Sequence, residues 1–308
     1  MILCCGEALI DMLPRQTLSG EAAFAPHAGG AVFNTAIALG RLGVPTGFFS
    51  GLAQDFMGQI LADNLVAAQV DTSLVKRVPR PSTLAFVQLV DGQARYAFYD
   101  EGTAGRMLSV ADLPALPASV STLFFGGISL VGEPCGSAYE ALMLREAGHR
   151  VTMIDPNIRP GFITDEAACR ARLGRMIAAT DIVKLSDEDL HWLKGKGDLA
   201  ALARGILARG PKLVLITEGA TGAHAFSPDH AAFAPAHRVA VADTVGAGDT
   251  FNAGTLTALY RAGALTKDRL ASLAPSEMVA ALQLGAAAAA ITVSRPGANP
   301  PWASELTE

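Results

Sequence analysis

Short apolar runs of strand length recur along the chain with longer helical stretches between them. Ile2 to Cys5, Gly47 to Ser50, Leu123 to Phe125, Val151 to Ile154, Ile182 to Leu185 and Leu213 to Thr217 carry almost no polar alternation, which is the pattern of strands buried on both faces. The intervening stretches Ala31 to Leu42, Met57 to Ala68, Ser137 to Ala147 and Leu199 to Ala208 repeat their apolar residues at helical spacing. Alternation of β and α at this interval predicts an α/β fold with a central, mostly parallel sheet and helices on both faces. Ser82 to Asp100 departs from it. Two β-like stretches there flank Asp91-Gly92, a hairpin signal that a pure βαβ wind does not contain. Such an insertion is either decoration or a flap over a site at the strand ends.

The composition fits a well-packed protein. Of 308 residues 50% are hydrophobic and 17% charged, with a mean hydropathy of +0.32; this is too apolar for disorder. Neither repeat nor linker is visible, so the whole of 1–308 reads as one domain with a small β insertion. A net charge of −5 offers no footprint for a phosphate backbone, which argues against nucleic acid. Glu7 and Asp11 interrupt the amino-terminal apolar run, unlike a signal peptide. The greasiest stretch, Ala286 to Val293, is shorter than the ~20 residues a bilayer requires. A cytoplasmic protein without a membrane partner is expected. Cys4, Cys5, Cys135 and Cys169 show no metal-site spacing, and the Cys4-Cys5 pair reads as two small apolar side chains facing opposite sides of a strand.

The densest chemistry lies in Asp243-Thr-Val-Gly-Ala-Gly-Asp-Thr-Phe-Asn-Ala-Gly254, between a β-like segment, His237 to Ala242, and a helical pattern ending near Ala262. The Gly246-Ala247-Gly248 turn lets backbone approach a ligand, and the free amides of a helix start favour an anion. Asp249 is either an ordinary carboxylate complementing the helix dipole or a base beside that anion site. A base that takes a hydroxyl proton while amides receive charge on a phosphoryl group describes phosphoryl transfer.

Asp243 to Gly254 resembles the carboxyl-terminal signature of the ribokinase-like (PfkB) carbohydrate kinases. Gly29-Gly30-Ala31-Val32-Phe33-Asn34, followed by Leu39-Gly40-Arg41-Leu42-Gly43, is similar to the family's amino-terminal di-glycine segment. The resemblance implies a ribokinase-like fold with a β-sheet lid, here at about 12–26 and 82–101, and an ATP-dependent sugar kinase. It implies sugar contacts from Asp11, Gly29, Gly30 and Asn34, with Asp249 as the base. Asp155-Pro-Asn-Ile-Arg159 resembles a segment of fructokinase-like members, which gives Arg159 a phosphate or sugar oxygen to hold; a surface arginine is the plain alternative. Lys184 and Ser186, with Asp189 or Glu188 behind them, stand where the family has an Asn-x-x-Glu segment linked to phosphates and hydrated Mg²⁺, although Ser186 also reads as a helix cap. Thr217, Gly219 and Gly222 resemble the nucleotide-binding turn. Asp243, with the carbonyl of Val245 and that of Gly297, would hold a monovalent cation such as K⁺.

The implied substrates are a small sugar and ATP. Gly6-Glu-Ala-Leu-Ile-Asp11, Asp155 to Arg159 and Ala97 to Arg106 look fructokinase-like, which makes fructose the first expectation and 2-keto-3-deoxygluconate the second. Tyr96, Phe98 or Tyr99 of the hairpin would line the sugar. A sensor that keeps the fold without catalysis competes less well, since it needs no Asp249, and a flavin-binding α/β protein is a third reading. P-loop, dinucleotide and zinc-protease motifs are missing. The exposed edge of the lid predicts pairing with a second copy.

Overall fold

The computed structural model describes residues 1–90 and 93–306, so the Asp91-Gly92 turn lies outside the described residues. Strands β1 (Ile2–Cys5), β2 (Leu9–Gln16) and β3 (Ala22–Gly29) lead into helix α1 (Ala31–Arg41); β4 (Thr46–Phe49) and β5 (Gly51–Ala53) precede α2 (Phe56–Ala67). After β6 (Val70–Asp71), β7 (Lys76–Val78), β8 (Leu84–Val90), β9 (Gln93–Tyr99) and β10 (Thr122–Gly126) comes α3 (Cys135–Glu146). The middle of the chain holds β11 (Val151–Asp155), α4 (Glu166–Ala179), β12 (Ile182–Ser186), α5 (Asp187–Lys194), α6 (Leu199–Leu207) and β13 (Leu213–Thr217). It closes with β14 (Gly222–Phe226), β15 (Ala231–Pro235), α7 (Ala247–Arg261), α8 (Lys267–Leu270) and α9 (Pro275–Val293).

Nine strands form the central sheet in the order β15-β14-β13-β12-β11-β10-β1-β4-β6. Its pairs are parallel from β6 to β13, and the last two pairs, β13 with β14 and β14 with β15, are antiparallel, so that β14 alone runs against the rest. The sheet is apolar on both sides because each face packs a separate core. In β1, Ile2 and Cys4 enter one cluster with residues of α1, α7 and α9, while Leu3 and Cys5 enter the other with residues of α3 and α4. All four are fully buried, and Cys4 and Cys5 do face opposite sides.

Order in the sheet reverses at β1: the next core strand in sequence, β4, lies on one side, and β10 lies on the other. Such a switch point opens a crevice at the carboxyl ends of the strands, where α/β sites form. The second sheet, β3-β2-β8-β9, is rooted at this end, since β2 follows β1 and β3 leads into α1. Its β8 and β9 pair antiparallel, as the hairpin signal predicts, and β2 and β3 carry the sheet beyond 12–26 to Leu9 and Gly29.

Two expectations need correction. His237 to Ala242 forms no strand: after β15 the chain leaves the sheet edge, Val239 and Val241 point outward, and only Ala242 is tied back, through its amide to the Val293 carbonyl at 2.8 Å. The apolar stretch Ala286 to Val293 is not an isolated short run but the end of α9, 19 residues at a mean hydropathy of 1.5, which by length and composition suffices for a membrane span. Here it packs along α7. Gly254 and Gly285 face each other so closely that a methyl on Gly254 would come within 2.7 Å of the Gly285 Cα, and Met278, Ala281 and Leu282 fill the core beneath.

Candidate active site

Two helix beginnings converge at the open end of the sheet. Gly30 precedes α1 at φ 109 and Gly246 precedes α7 at φ 78, conformations that a β-carbon strongly disfavours. Each helix leaves amides without intrahelical partners in its first turn, and α1 packs against α7. The Asn34 side-chain amide donates to Asp249 Oδ2 at 2.9 Å, and the Thr35 hydroxyl donates to the Asp249 carbonyl at 3.2 Å. Asp249 keeps 7% of its exposure. Burial is the main force that pushes its carboxyl up to about 7; the Asn34 hydrogen bond opposes this, and the charge of Asp155 adds to it. A carboxylate near pH 7 has the proton affinity a general base needs.

Glu7, which the sequence presents only as a polar interruption, is a buried brace at the switch point. Its Oε1 accepts from the Ala31 amide at 2.9 Å and its Oε2 from the Ser129 amide at 3.3 Å. It thereby ties the di-glycine segment to the connection after β10. A β-carbon on Gly30 would come within 2.9 Å of the Glu7 carbonyl oxygen, so the close approach requires glycine there. A charged residue at the carboxyl end of an otherwise buried strand was the available signal. Gly29 in turn leaves room for Asp11, whose carboxylate fills the space a side chain at 29 would occupy. Burial lifts the Asp11 carboxyl to about 6.

Under α7 lies a second polar cluster. Lys184, on β12, is 5% exposed and donates from Nζ to Asp155 Oδ2 at 3.0 Å. Asn252, one turn after Asp249, donates to the same oxygen at 2.7 Å. Both residues lie within segments that stand out in the sequence, but local pattern assigns neither a role; Asn252 sits three residues after Asp249 and so shares its face of the helix.

The other candidates are spread around this centre. Ser186 accepts from the Asp189 amide at 3.0 Å and so caps α5, while Asp189 Oδ1 accepts the Ile158 amide at 3.0 Å and fixes the turn before Arg159. Burial, then the nearby charge of Asp155, raises the Asp189 carboxyl. Arg159 is exposed and donates to the Ile158 carbonyl. Thr217 ends β13, and Gly219 and Gly222 take φ 49 and φ 138 in the turn that follows; a side chain at Gly222 would strike the backbone of β15. Asp243 accepts from the amides of Val245 at 3.0 Å and Gly297 at 2.9 Å, joining the segment before α7 to the loop after α9. No cluster of three His, Cys, Asp or Glu suited to a metal occurs among the described residues. Cavities of about 30 Å³ beside Glu7 and Arg106, and about 300 Å³ beside Lys76 and Arg80, do not touch Asp249. Of the hairpin aromatics, Phe98 meets Phe162 at 4.7 Å between ring centres and Tyr99 points outward; the Tyr96 side chain lies outside what is described.

A doubly wound sheet with a β lid, and a carboxylate at a glycine-led helix start beside a buried lysine, define a phosphotransferase of the ribokinase-like class. Residues 1–305 match the family model described as pfkB family carbohydrate kinase, and the chain belongs to that family. It is therefore a carbohydrate kinase, transferring phosphate to an alcohol group. It is 60% identical over 273 residues to a fructokinase of Rhizobium leguminosarum bv. trifolii, covering 89% of this chain and 84% of that one. A fructokinase of Klebsiella pneumoniae is 34% identical over 275 residues, or 88% and 87% of the two chains. Among solved structures, fructokinase with bound ATP from Xylella fastidiosa superposes with a TM-score of 0.86 at 31% identity, covering 96% of this chain and 93% of that one.

Proposed function

We propose that this kinase is a fructokinase in which Asp249 takes the proton of the attacking sugar hydroxyl. The observation that carries the mechanism is the placement of a carboxyl near pH 7 in the first turn of α7, fixed by Asn34; the 60% identity to a fructokinase carries the substrate. Asp11, Gly29, Gly30 and Asn34 lie on the side of α1 and would receive the sugar, with Arg159 at the rim. Gly246 and Gly248 would offer amides to the phosphoryl oxygens as charge gathers on them, and the Ala247 amide would join them on releasing its bond to the Thr244 carbonyl at 3.3 Å. The hydroxyl oxygen bonds to the γ-phosphorus as its proton passes to Asp249, and ADP departs with the electrons of the broken P–O bond.

Asp249 is buried, and a lid sheet that closes after the sugar enters would keep water from the phosphoryl group. Thr217, Gly219 and Gly222 would face the nucleotide farther along the strand ends, with Ser186 holding the start of α5. Mg²⁺ entering with the nucleotide would supply charge neutralisation; among the described residues no carboxylate cluster is suited to cage it, so the protein would meet it largely through water. Asp189, buried near Asp155 and Lys184, or the exposed Glu188 beside it would face that water. Asp243 and the carbonyl of Val245 would hold K⁺ behind the start of α7.

The whole of 1–308 is read as one catalytic unit working in the cytoplasm. Phe24, Phe86 and Tyr99 form an edge-to-face aromatic group on the lid, with ring centres 5.0 and 5.6 Å apart, and both Phe24 and Tyr99 are exposed. Pairing of two copies through the lid would cover it. Release of ADP measured across fructose, other ketoses, aldoses and keto-deoxy acids tests the assignment. Fructose should give the highest kcat/KM, and a clear preference for another acceptor would replace it.

A further inference from the structure

Asp155 closes β11 at 3% exposure, and both of its oxygens are used. Oδ1 accepts the Asn157 amide at 3.2 Å, within the turn that puts Asn157 at φ 44. Oδ2 receives Lys184 Nζ at 3.0 Å and Asn252 Nδ2 at 2.7 Å. One oxygen thus joins the strand that carries the lysine to the helix that carries Asp249. The ammonium lies directly against the start of that helix, since a β-carbon on Gly248 would meet Nζ at 3.2 Å. Among the described residues Nζ has no second protein acceptor, although an ammonium has three donors.

A buried ion pair adds little to stability by itself, and apolar residues of like volume serve a core as well or better. The pair's location suggests a different use. A lysine with donors to spare, next to free helix amides, is a cation prepared for an anion. We propose that Asp155 is a positioning residue: it holds the Lys184 ammonium at the amino end of α7, where the lysine meets the phosphoryl group in transfer. This rests on reading α7 as the phosphate-receiving helix. Asp155 itself touches neither sugar nor nucleotide; it acts through Lys184 and, by way of Asn252, keeps the helix with the base in register with the lysine.

The test uses the full chain with Asp155→Asn, Lys184→Met and the double variant. Each single change should lower kcat at least tenfold while the KM for fructose stays within twofold. Because both act through one ammonium, the double variant should be no slower than Lys184→Met alone. Calorimetry with a non-hydrolysable ATP analogue and with ADP should show each variant losing most of the wild-type preference for the triphosphate. Near-normal kcat in Asp155→Asn, multiplied losses in the double variant, or an unchanged triphosphate preference would each overturn the proposal. If Asp155→Asn fails to fold because its lysine is left unpaired, Lys184→Met carries the test, and a kcat within twofold of wild type refutes the idea. Lack of fructose-dependent turnover in the wild type would remove the fructokinase reading alone, since the analogue binding judges Asp155 without any sugar.

Discussion

Asn34 and Asp249, 215 positions apart in sequence, meet at 2.9 Å through a side-chain hydrogen bond between the first turns of α1 and α7. The bond stabilises the ionised carboxylate and so holds down a proton affinity that burial has raised. Asn34→Ala should therefore move the acid limb of kcat/KM upward by about one pH unit, the size expected from losing a hydrogen bond to a charged group. Activity should fall most near pH 6 and recover toward pH 9. A pH–rate profile with an unmoved acid limb would detach Asn34 from the base.

Burial of Asp249 also has a consequence for stability. Its folded carboxyl titrates at about 7 against 3.8 for the ordinary side chain, so between those values the folded state binds more protons than the unfolded one. Stability then falls as pH rises through this window. Asp249→Asn removes the cost of the buried charge while its side-chain oxygen can still accept from Asn34. Melting at pH 8 should show the variant more stable than wild type, by at most roughly 4 kcal/mol, with the gain vanishing near pH 4.

Glu7 makes a prediction of the opposite sign. Its two oxygens serve the amides of Ala31 and Ser129, and Glu7→Ala strands both donors in a buried place at ~1–3 kcal/mol each. Denaturant unfolding should register that loss. The KM for sugar should rise several-fold because the di-glycine segment loses its brace; an unchanged KM alongside lost stability would make Glu7 a structural residue only.

How far the sequence could be read follows from how local each signal is. Buried strands such as Ile2–Cys5 and Val151–Asp155 announce themselves by unbroken apolar runs, and the starts of α1 and α7 by their glycines. The convergence of Asn34 on Asp249 depends on how α1 packs against α7, which no local pattern states. The same holds for Lys184, Asp155 and Asn252, which come from two strands and a helix. His237 to Ala242 misleads because alternation of valine and alanine reads as a strand, although the chain leaves the β15 edge there and pairs with no strand. Ala286 to Val293 misleads in another way: α9 is greasy because it packs between α7 and the edge strands, and its full length shows only once both ends are seen.

Asp243 links the loop before α7 to Gly297, so an ion bound beside it would tighten the start of the catalytic helix. Activity in potassium chloride should exceed that in tetramethylammonium chloride at least fivefold at equal ionic strength. Equal rates in the two salts would dismiss the cation.

The proposed mechanism depends on Asp249 as the group that activates the sugar. The most direct measurement is fructose-dependent ADP release by wild type and Asp249→Asn at pH 8, with the affinities for fructose and ATP measured on the same samples. With Asp249 as the base, the variant should lose at least ~1,000-fold in kcat with both affinities within about tenfold, or roughly 1.4 kcal/mol. An Asp249→Asn protein that turns over at a rate near wild type would contradict it.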